Sequence, residues 1–473
     1  MKSRFVLGAV TAMLACVQSA YAADPTEQQF RALYKELVET NTTLSSGSCT
    51  LAAERIAARL KTAGFPESDL HLFADPAHPK EGGLVAVLPG RDPKAKAILL
   101  LAHIDVVEAK REDWTRDPFT LIEEDGKFYA RGVVDDKAQA AIWADSLIRF
   151  KQEGYKPRHT LKMALTCGEE TSGAFNGAEW LTKNRRDLID AGYALNEGAG
   201  GELNAAGKRI TMTVQAGEKV SQNYRLEVTN RGGHSSRPMK DNAIYHLAGA
   251  LTKVQGYEFP IQLTDGSKGY LNAMSKIQLE AGHKEVADAM LAVVKNPGDT
   301  KAVATVSNAD TSWAAMLHTT CVATLLDAGH ATNALPQRAR ANINCRIFPG
   351  VTQETVRQAL VSAINDPAVK VETLEIRGEN SAPPPLTRAI MEPVEKLTAK
   401  TWPGVPVMPI LQSGATDGQF LNAAGIPTYG ISGIFLTPDL GNIHGLNEYI
   451  GVQSLMEGRV FLHELVKTYA EQN

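Results

Sequence analysis

Aromatic residues are scarce in this chain, at 6% of 473 positions, and cysteine occurs only five times. So few cysteines exclude a small scaffold stapled by disulfides. An excess of one charge is missing too. Lys plus Arg number 49 against 53 Asp plus Glu, a net charge of −4, which gives no reason to expect nucleic acid as a partner. No internal repeat or low-complexity tract is present, and the composition excludes a fibrous, collagen-like or disordered chain. Beyond the N-terminal segment no apolar run reaches the ~20 residues that a spanning helix needs, so no membrane association is expected of the mature chain.

What is present begins with an address. Lys2 and Arg4 precede an apolar stretch from Phe5 to Cys16, and Ala20, Tyr21 and Ala22 follow. This pattern predicts a signal peptide over residues 1–22, cut after Ala22, and a secreted or periplasmic protein. Cys49, Cys167, Cys321 and Cys345 remain, allowing three pairings. One bridge is expected, and Cys321–Cys345 is preferred because both lie in the same candidate domain.

Hydrophobic residues make up 44% of the chain, and at about 100–200 residues per domain two domains are expected. Residues 96–102 and 161–167 read as strands buried on both faces, with a helix over 137–150 between them. Residues 52–62 and 178–184 read as helices, and 193–196 and 426–431 as further short strands. This rhythm predicts an α/β fold with a mostly parallel sheet and helices on both faces. From about residue 218 the pattern changes. Half-exposed strands at 224–229, 321–326 and 339–347, with a helix at 243–253, predict an inserted α+β domain over 218–379. The large domain then comprises 23–217 and 380–473, joined through the stiff, proline-rich stretch 381–386. Within 259–320 only a helix at 284–294 is legible.

Ligands of open parallel sheets bind at the carboxyl ends of the strands. There the sequence places His103 and Asp105, Glu169 and Glu170, Glu197, and, past a loop, His444; Asp135 and Asp136 open the helix after the first strand. Each element alone has a plainer reading. His-x-Asp is common by chance, Glu-Glu is usually a solvated surface pair, and Asp-Asp can simply cap a helix. Their coincidence on one rim carries the inference. Crowded carboxylates repel one another unless cations are bound, and a mix of His, Asp and Glu suits zinc. Five ligands with one shared carboxylate suit two ions ~3.5–4 Å apart.

The motifs LLLAHIDVV (99–107), GVVDDKAQ (132–139), TCGEE (166–170), LNEGAGG (195–201) and GNIHGLNE (441–448) resemble the metal-site motifs of the M20 family of metallopeptidases. GGHSSRP (232–238) and TNALPQRARANINCRIFPG (332–350) resemble that family's inserted domain. The resemblance implies a dizinc catalytic domain with a lid domain that dimerises. It implies two Zn²⁺, replaceable by Co²⁺ or Mn²⁺, held by His103, Asp135, Glu170, Glu197 and His444. Asp135 would bridge the ions and be joined to Asp136 by a cis peptide. Asp105 would orient His103, Glu169 would be the general base, and His234 would reach the oxyanion from the partner subunit's lid. Arg346, Asn333, Ser413 and Gly414 would face the substrate, with Arg346 on its carboxylate. Glu197 in place of Asp, the LNEGAGG run and the 259–320 insert are similar to the carboxypeptidase S-like and N-acyl-amino-acid hydrolase branches. The expected substrate is thus a peptide or N-acyl amino acid that releases an amino acid with a free carboxylate. A dipeptidase or aminopeptidase is the alternative within the family. A non-catalytic binding or dimerisation module is the alternative outside enzymes.

Overall fold

Alternate side chains of one strand enter two different cores. In Ile98–His103 the residues Ile98, Leu100 and Ala102 join a core shared with the helices Pro25–Glu39, Cys49–Thr62, Lys137–Gln152 and Val452–Ala470. Leu99 and Leu101 point the other way, to a core shared with Gly177–Asn184 and Gly418–Ala423. A strand sandwiched this way must be apolar on both faces, which is why it reads as an unbroken hydrophobic run. The computed structural model describes residues 25–171, 175–374 and 380–473; the leader expected over 1–22 lies outside them.

This strand belongs to a ten-stranded sheet. Its centre is parallel, in the order Leu161–Thr166, Ile98–His103, Tyr193–Asn196, Thr428–Gly430. Antiparallel strands flank it: Gly83–Leu88 pairs with Leu161–Thr166 on one side, and Arg209–Glu218 with Thr428–Gly430 on the other. The parallel centre sets the carboxyl ends of four strands side by side, and His103 is registered directly against Thr166.

The smaller sheet is antiparallel throughout, in the order Thr320–Ala328, Arg338–Ile347, Val220–Thr229, Val369–Thr373. One face packs Tyr224, Leu226, Val228, Ile343 and Ile347 against the helices Ala243–Gln255 and Gln353–Ile364. The other face is polar. Asn344 Nδ2 donates to Ser221 Oγ at 3.2 Å, and Asn342 Nδ2 donates to Asn223 Oδ1 at 3.0 Å. Period-two alternation made this sheet legible in the sequence.

The stretch 259–320 holds four helices: Asp265–Glu280, Lys284–Lys295, Thr300–Ala309 and Thr311–Leu317. Their core includes Met408 and Leu411 of the strand Val407–Gln412, so the insert leans on the large sheet. Two disulfides are formed, where one was expected. Cys321 and Cys345 are direct cross-strand partners, as preferred from the sequence. Cys49–Cys167 is an addition, tying the start of Cys49–Thr62 to the residue before Gly168 across 118 positions. Spacing alone could not disclose it, because it depends on how a helix docks against a strand end. Among the described residues no helix is long and apolar enough to cross a membrane.

Candidate metal centre

The first imidazole stands at a strand end. His103 closes Ile98–His103, is buried, and its Nδ1 is 3.1 Å from the carbonyl oxygen of Asp105. Its Nε2 faces Asp135 Oδ1 at 2.9 Å and Glu197 Oε1 at 3.5 Å. The other oxygen of Asp135 lies 3.2 Å from His444 Nε2, which is also 2.9 Å from Glu170. Asp135 therefore presents one oxygen to each of two trios, His103–Asp135–Glu197 and Asp135–Glu170–His444, each with donor atoms within 4.8 Å of one another. The Asp135–Asp136 peptide is cis. Glu169 falls within the same distance of His103 and Glu170.

The electrostatics show what such a cluster needs. Burial drives Glu169, Glu170 and Glu197 above the ordinary carboxylate range, and Asp136 with them. Burial would raise Asp135 as well, but hydrogen bonds with His103 and His444 outweigh it and hold its carboxyl low. Hydrogen bonds with Asp135 and Glu170 push His444 up to about 10. The pocket is thus short of positive charge, and its oxygen and imidazole donors fit a pair of divalent cations.

Supports from several elements fix these side chains. The carboxylate of Asp105 accepts the backbone N–H groups of Glu169 and Glu170 at 3.3 and 3.0 Å, holding their loop against the His103 strand. Glu448 accepts the N–H groups of Gly132, Val134 and Asp135 and pairs with Arg131 at 2.8 Å. Arg131 also donates to the carbonyls of His444 and Gly445, so one buried ion pair binds the Asp135 loop to the His444 loop. In that loop Leu440, Asn442, His444 and Asn447 all adopt positive φ, a strained backbone held in place by its surroundings. Asp417 accepts Thr166 Oγ1 at 2.8 Å and Asn176 Nδ2 at 2.7 Å, and burial lifts it to about 6. Arg131, Asp417 and Glu448 were missed in the sequence, since nothing local marks a brace whose partners lie hundreds of residues away. Glu448 did lie within a quoted motif, which was the one available signal.

The other expected residues lie on the smaller sheet or at its junction. His234 belongs to a two-residue pairing with Ala334, and the N–H of Ser235 donates to the carbonyl of Asn333 at 3.0 Å, so His234 and Asn333 stand together. His234 is exposed, and among the described residues no hydrogen bond or ion pair joins it to the carboxylate cluster. Arg346 is half-buried in Arg338–Ile347. Ser413 and Gly414 follow Gln412, whose amide donates to the carbonyl of Gly198 beside Glu197 at 2.8 Å.

With this geometry in place, the comparisons with known proteins agree with one another. The family model described as peptidase family M20/M25/M40 matches residues 99–468. The human N-fatty-acyl-amino acid synthase/hydrolase PM20D1 is 27% identical over 387 residues, covering 80% of this chain and 75% of the relative. A probable carboxypeptidase S-like 2 of Dictyostelium discoideum is 25% identical over 391 residues, covering 80% and 72%. The crystal structure of an M20 family metallo-carboxypeptidase, Sso-CP2 of Sulfolobus solfataricus, superposes with a TM-score of 0.69 at 18% identity, covering 94% of this chain and 99% of that one. The chain is a member of peptidase family M20/M25/M40, an enzyme of the metallopeptidase and amidohydrolase kind.

Proposed function

We propose that the protein is a secreted or periplasmic zinc-dependent hydrolase that cleaves a peptide or N-acyl amide bond and releases an amino acid with a free carboxylate. One observation carries this reading: two trios of donors share Asp135, with Glu169 beside them. When bound, a pair of zinc ions supplies Lewis acidity, acidifying a water and polarising the scissile carbonyl. His103, Asp135 and Glu197 would hold one ion, and Asp135, Glu170 and His444 the other. Glu169 takes the proton of the attacking water on its carboxylate and hands it to the departing amine. Asp105 orients His103 and the Glu169–Glu170 loop, and His234, supplied by the partner's lid, donates to the oxyanion.

Arg346 grips the product carboxylate with its planar fork, helped by the backbone of Ser413 and Gly414, while Asn333, which stands with His234, faces the substrate from the partner's lid. The relatives, an N-fatty-acyl-amino acid synthase/hydrolase and a probable carboxypeptidase S-like protein, support this choice of bond over a dipeptidase or aminopeptidase. The leader pattern and two disulfides support an oxidising compartment. A homodimer through the lid is supported by the strand Thr320–Ala328, a sheet edge that exposes Val322, Leu325 and Leu326.

The experiment is metal analysis followed by a substrate screen. Protein dialysed free of metal and reloaded should take up two zinc ions and hydrolyse N-acyl amino acids. A chain that binds no zinc, or that turns over only substrates with a free amine and no carboxylate, overturns the reading.

A further inference from the structure

The strand crossing between the two sheets buries a cation that no acid balances among the described residues. Lys219 joins Arg209–Glu218 of the large sheet to Val220–Thr229 of the small one and has no exposed surface. Its Nζ lies 3.5 Å from Thr320 Oγ1, and among the described residues no carboxylate stands within ion-pair distance. Lys137, equally buried, is a useful contrast. Its Nζ donates to the carbonyl of Thr40 at 2.8 Å, and Glu448 and Asp105 supply opposite charge. Lys219 has neither among the described residues; the charge that acts on it, Arg346, is of the same sign.

Register explains the pairing. Arg346 is directly opposite Ser221 on one neighbouring strand and Thr320 on the other, and Lys219 precedes Ser221 by two residues, so it continues the same face. The Nδ1 of His318, just before Thr320, is also buried without a partner. On the other side the N–H of Lys219 donates to the carbonyl of Gln412 at 3.0 Å, and Gln412 Oε1 accepts from Ser413 N at 3.1 Å. Lys219 therefore stands between Arg346 and the Ser413–Gly414 segment, the two groups assigned above to the substrate's carboxylate. Burial, with the Arg346 charge second, pushes the Lys219 ammonium down to about 7, and burial lowers Arg346 as well. Two cations desolvated side by side are costly until an anion arrives between them and the solvent.

We propose that Lys219 is a positioning residue for the substrate's free α-carboxylate, acting through Arg346 and Thr320 from beneath the carboxylate site. Its charge makes this end of the cleft selective for acids over neutral amides of the same shape. The proposal rests on the function proposed above, and its test separates the two.

In a zinc-supplemented Glu169→Gln background, titration calorimetry compares N-acetyl-L-leucine with N-acetyl-L-leucinamide. Lys219→Met should weaken binding of the acid by roughly tenfold or more and leave the amide unchanged within about twofold. Lys219→Arg, which keeps the charge, should restore the preference for the acid. Should Lys219→Met not fold, Lys219→Gln carries the same comparison. Equal weakening of both ligands, or of neither, overturns the proposal, since a packing role would not distinguish them. If the acid binds through Lys219 but the zinc-loaded wild type never hydrolyses it, the hydrolase reading fails and the carboxylate site stands. If the wild type hydrolyses the acid and Lys219→Met keeps its KM, the reverse holds. A wild type that neither binds nor hydrolyses the acid overturns both.

Discussion

The rim of the large sheet and the open face of the small sheet handle charge in opposite ways. At the rim, acids crowd together, and two of the loops that carry them are braced by buried hydrogen-bond acceptors, Asp105 under Glu169 and Glu170 and Glu448 under Asp135, while Asp417 accepts from Thr166 at a neighbouring strand end. On and beside the small sheet, Arg346 and Lys219 have no acid within ion-pair distance among the described residues, His234 is exposed, and the edge strand shows apolar side chains to solvent. The first region brings its acid and imidazole donors together within one chain. The second leaves an apolar edge uncovered, and it is assigned a substrate end and another subunit in the proposals above. Perturbing the rim should therefore abolish chemistry or folding outright, and perturbing the small sheet should alter recognition and assembly.

The sharpest division is expected at the rim itself. Asp135→Asn removes the one group shared by both trios and should strip both ions along with activity, read by metal analysis. Glu169→Gln should instead retain two ions per chain while turnover falls roughly 10²–10⁴-fold. Metal loss in Glu169→Gln, or unimpaired turnover, would remove it as the base.

Next in size is the brace between the loops. Arg131 and Glu448 are both buried, and breaking such a pair by removing one partner typically costs about 3–5 kcal/mol. Arg131→Met should lower stability by that order in denaturant unfolding and loosen the His444 loop, weakening metal retention. An unaltered midpoint with full metal content would show that the strained loop holds itself.

These two expectations also mark what the sequence could and could not disclose. The strand that ends at His103 was legible because burial on both faces leaves an apolar run, and the candidate donors were legible because they gather where such runs stop. The small sheet was legible through alternation, and Cys321–Cys345 through a shared domain. Arg131 with Glu448, Thr166 with Asp417, and Cys49 with Cys167 were not. Each joins segments more than 100 residues apart, and only the packed fold chooses those partners. The helices Asp265–Glu280, Thr300–Ala309 and Thr311–Leu317 escaped for a related reason: their apolar stripe is completed by Met408 and Leu411, supplied from far along the chain.

A smaller effect is expected from His463, in the scaffold behind the rim. It is buried, stacked on Phe150 at 4.4 Å, and faces Arg149, Lys467 and Arg459, with Glu153 4.0 Å from Nε2. Burial, helped by those cations, depresses it to about 3. The unfolded chain therefore binds a proton that the folded chain refuses as pH falls below ~6.5. Stability should decline by about 1.4 kcal/mol per pH unit from there, close to 2 kcal/mol by about pH 5. His463→Leu should flatten that slope in unfolding curves. An identical slope would assign the acid sensitivity to other groups.

The smallest change in folding energy, and the one most specific to the second region, is expected at the exposed edge. Leu325 and Leu326 are 71% and 66% exposed on a strand whose outer backbone groups face no neighbour in its sheet. Pairing with a second copy would cover them, and a charge placed there opposes it, as lysines do on natural edge strands. Leu326→Lys is a surface change, so monomer stability should move by no more than about 0.5 kcal/mol. Sedimentation should nevertheless show a dimer in the wild type and a monomer in the variant. Activity should fall with the dimer, because His234 would no longer be delivered to the partner, while the zinc content of each chain stays at two. A monomeric variant with full activity would place the whole reaction on one chain and dissolve the division between a finished rim and a face that waits for its complement.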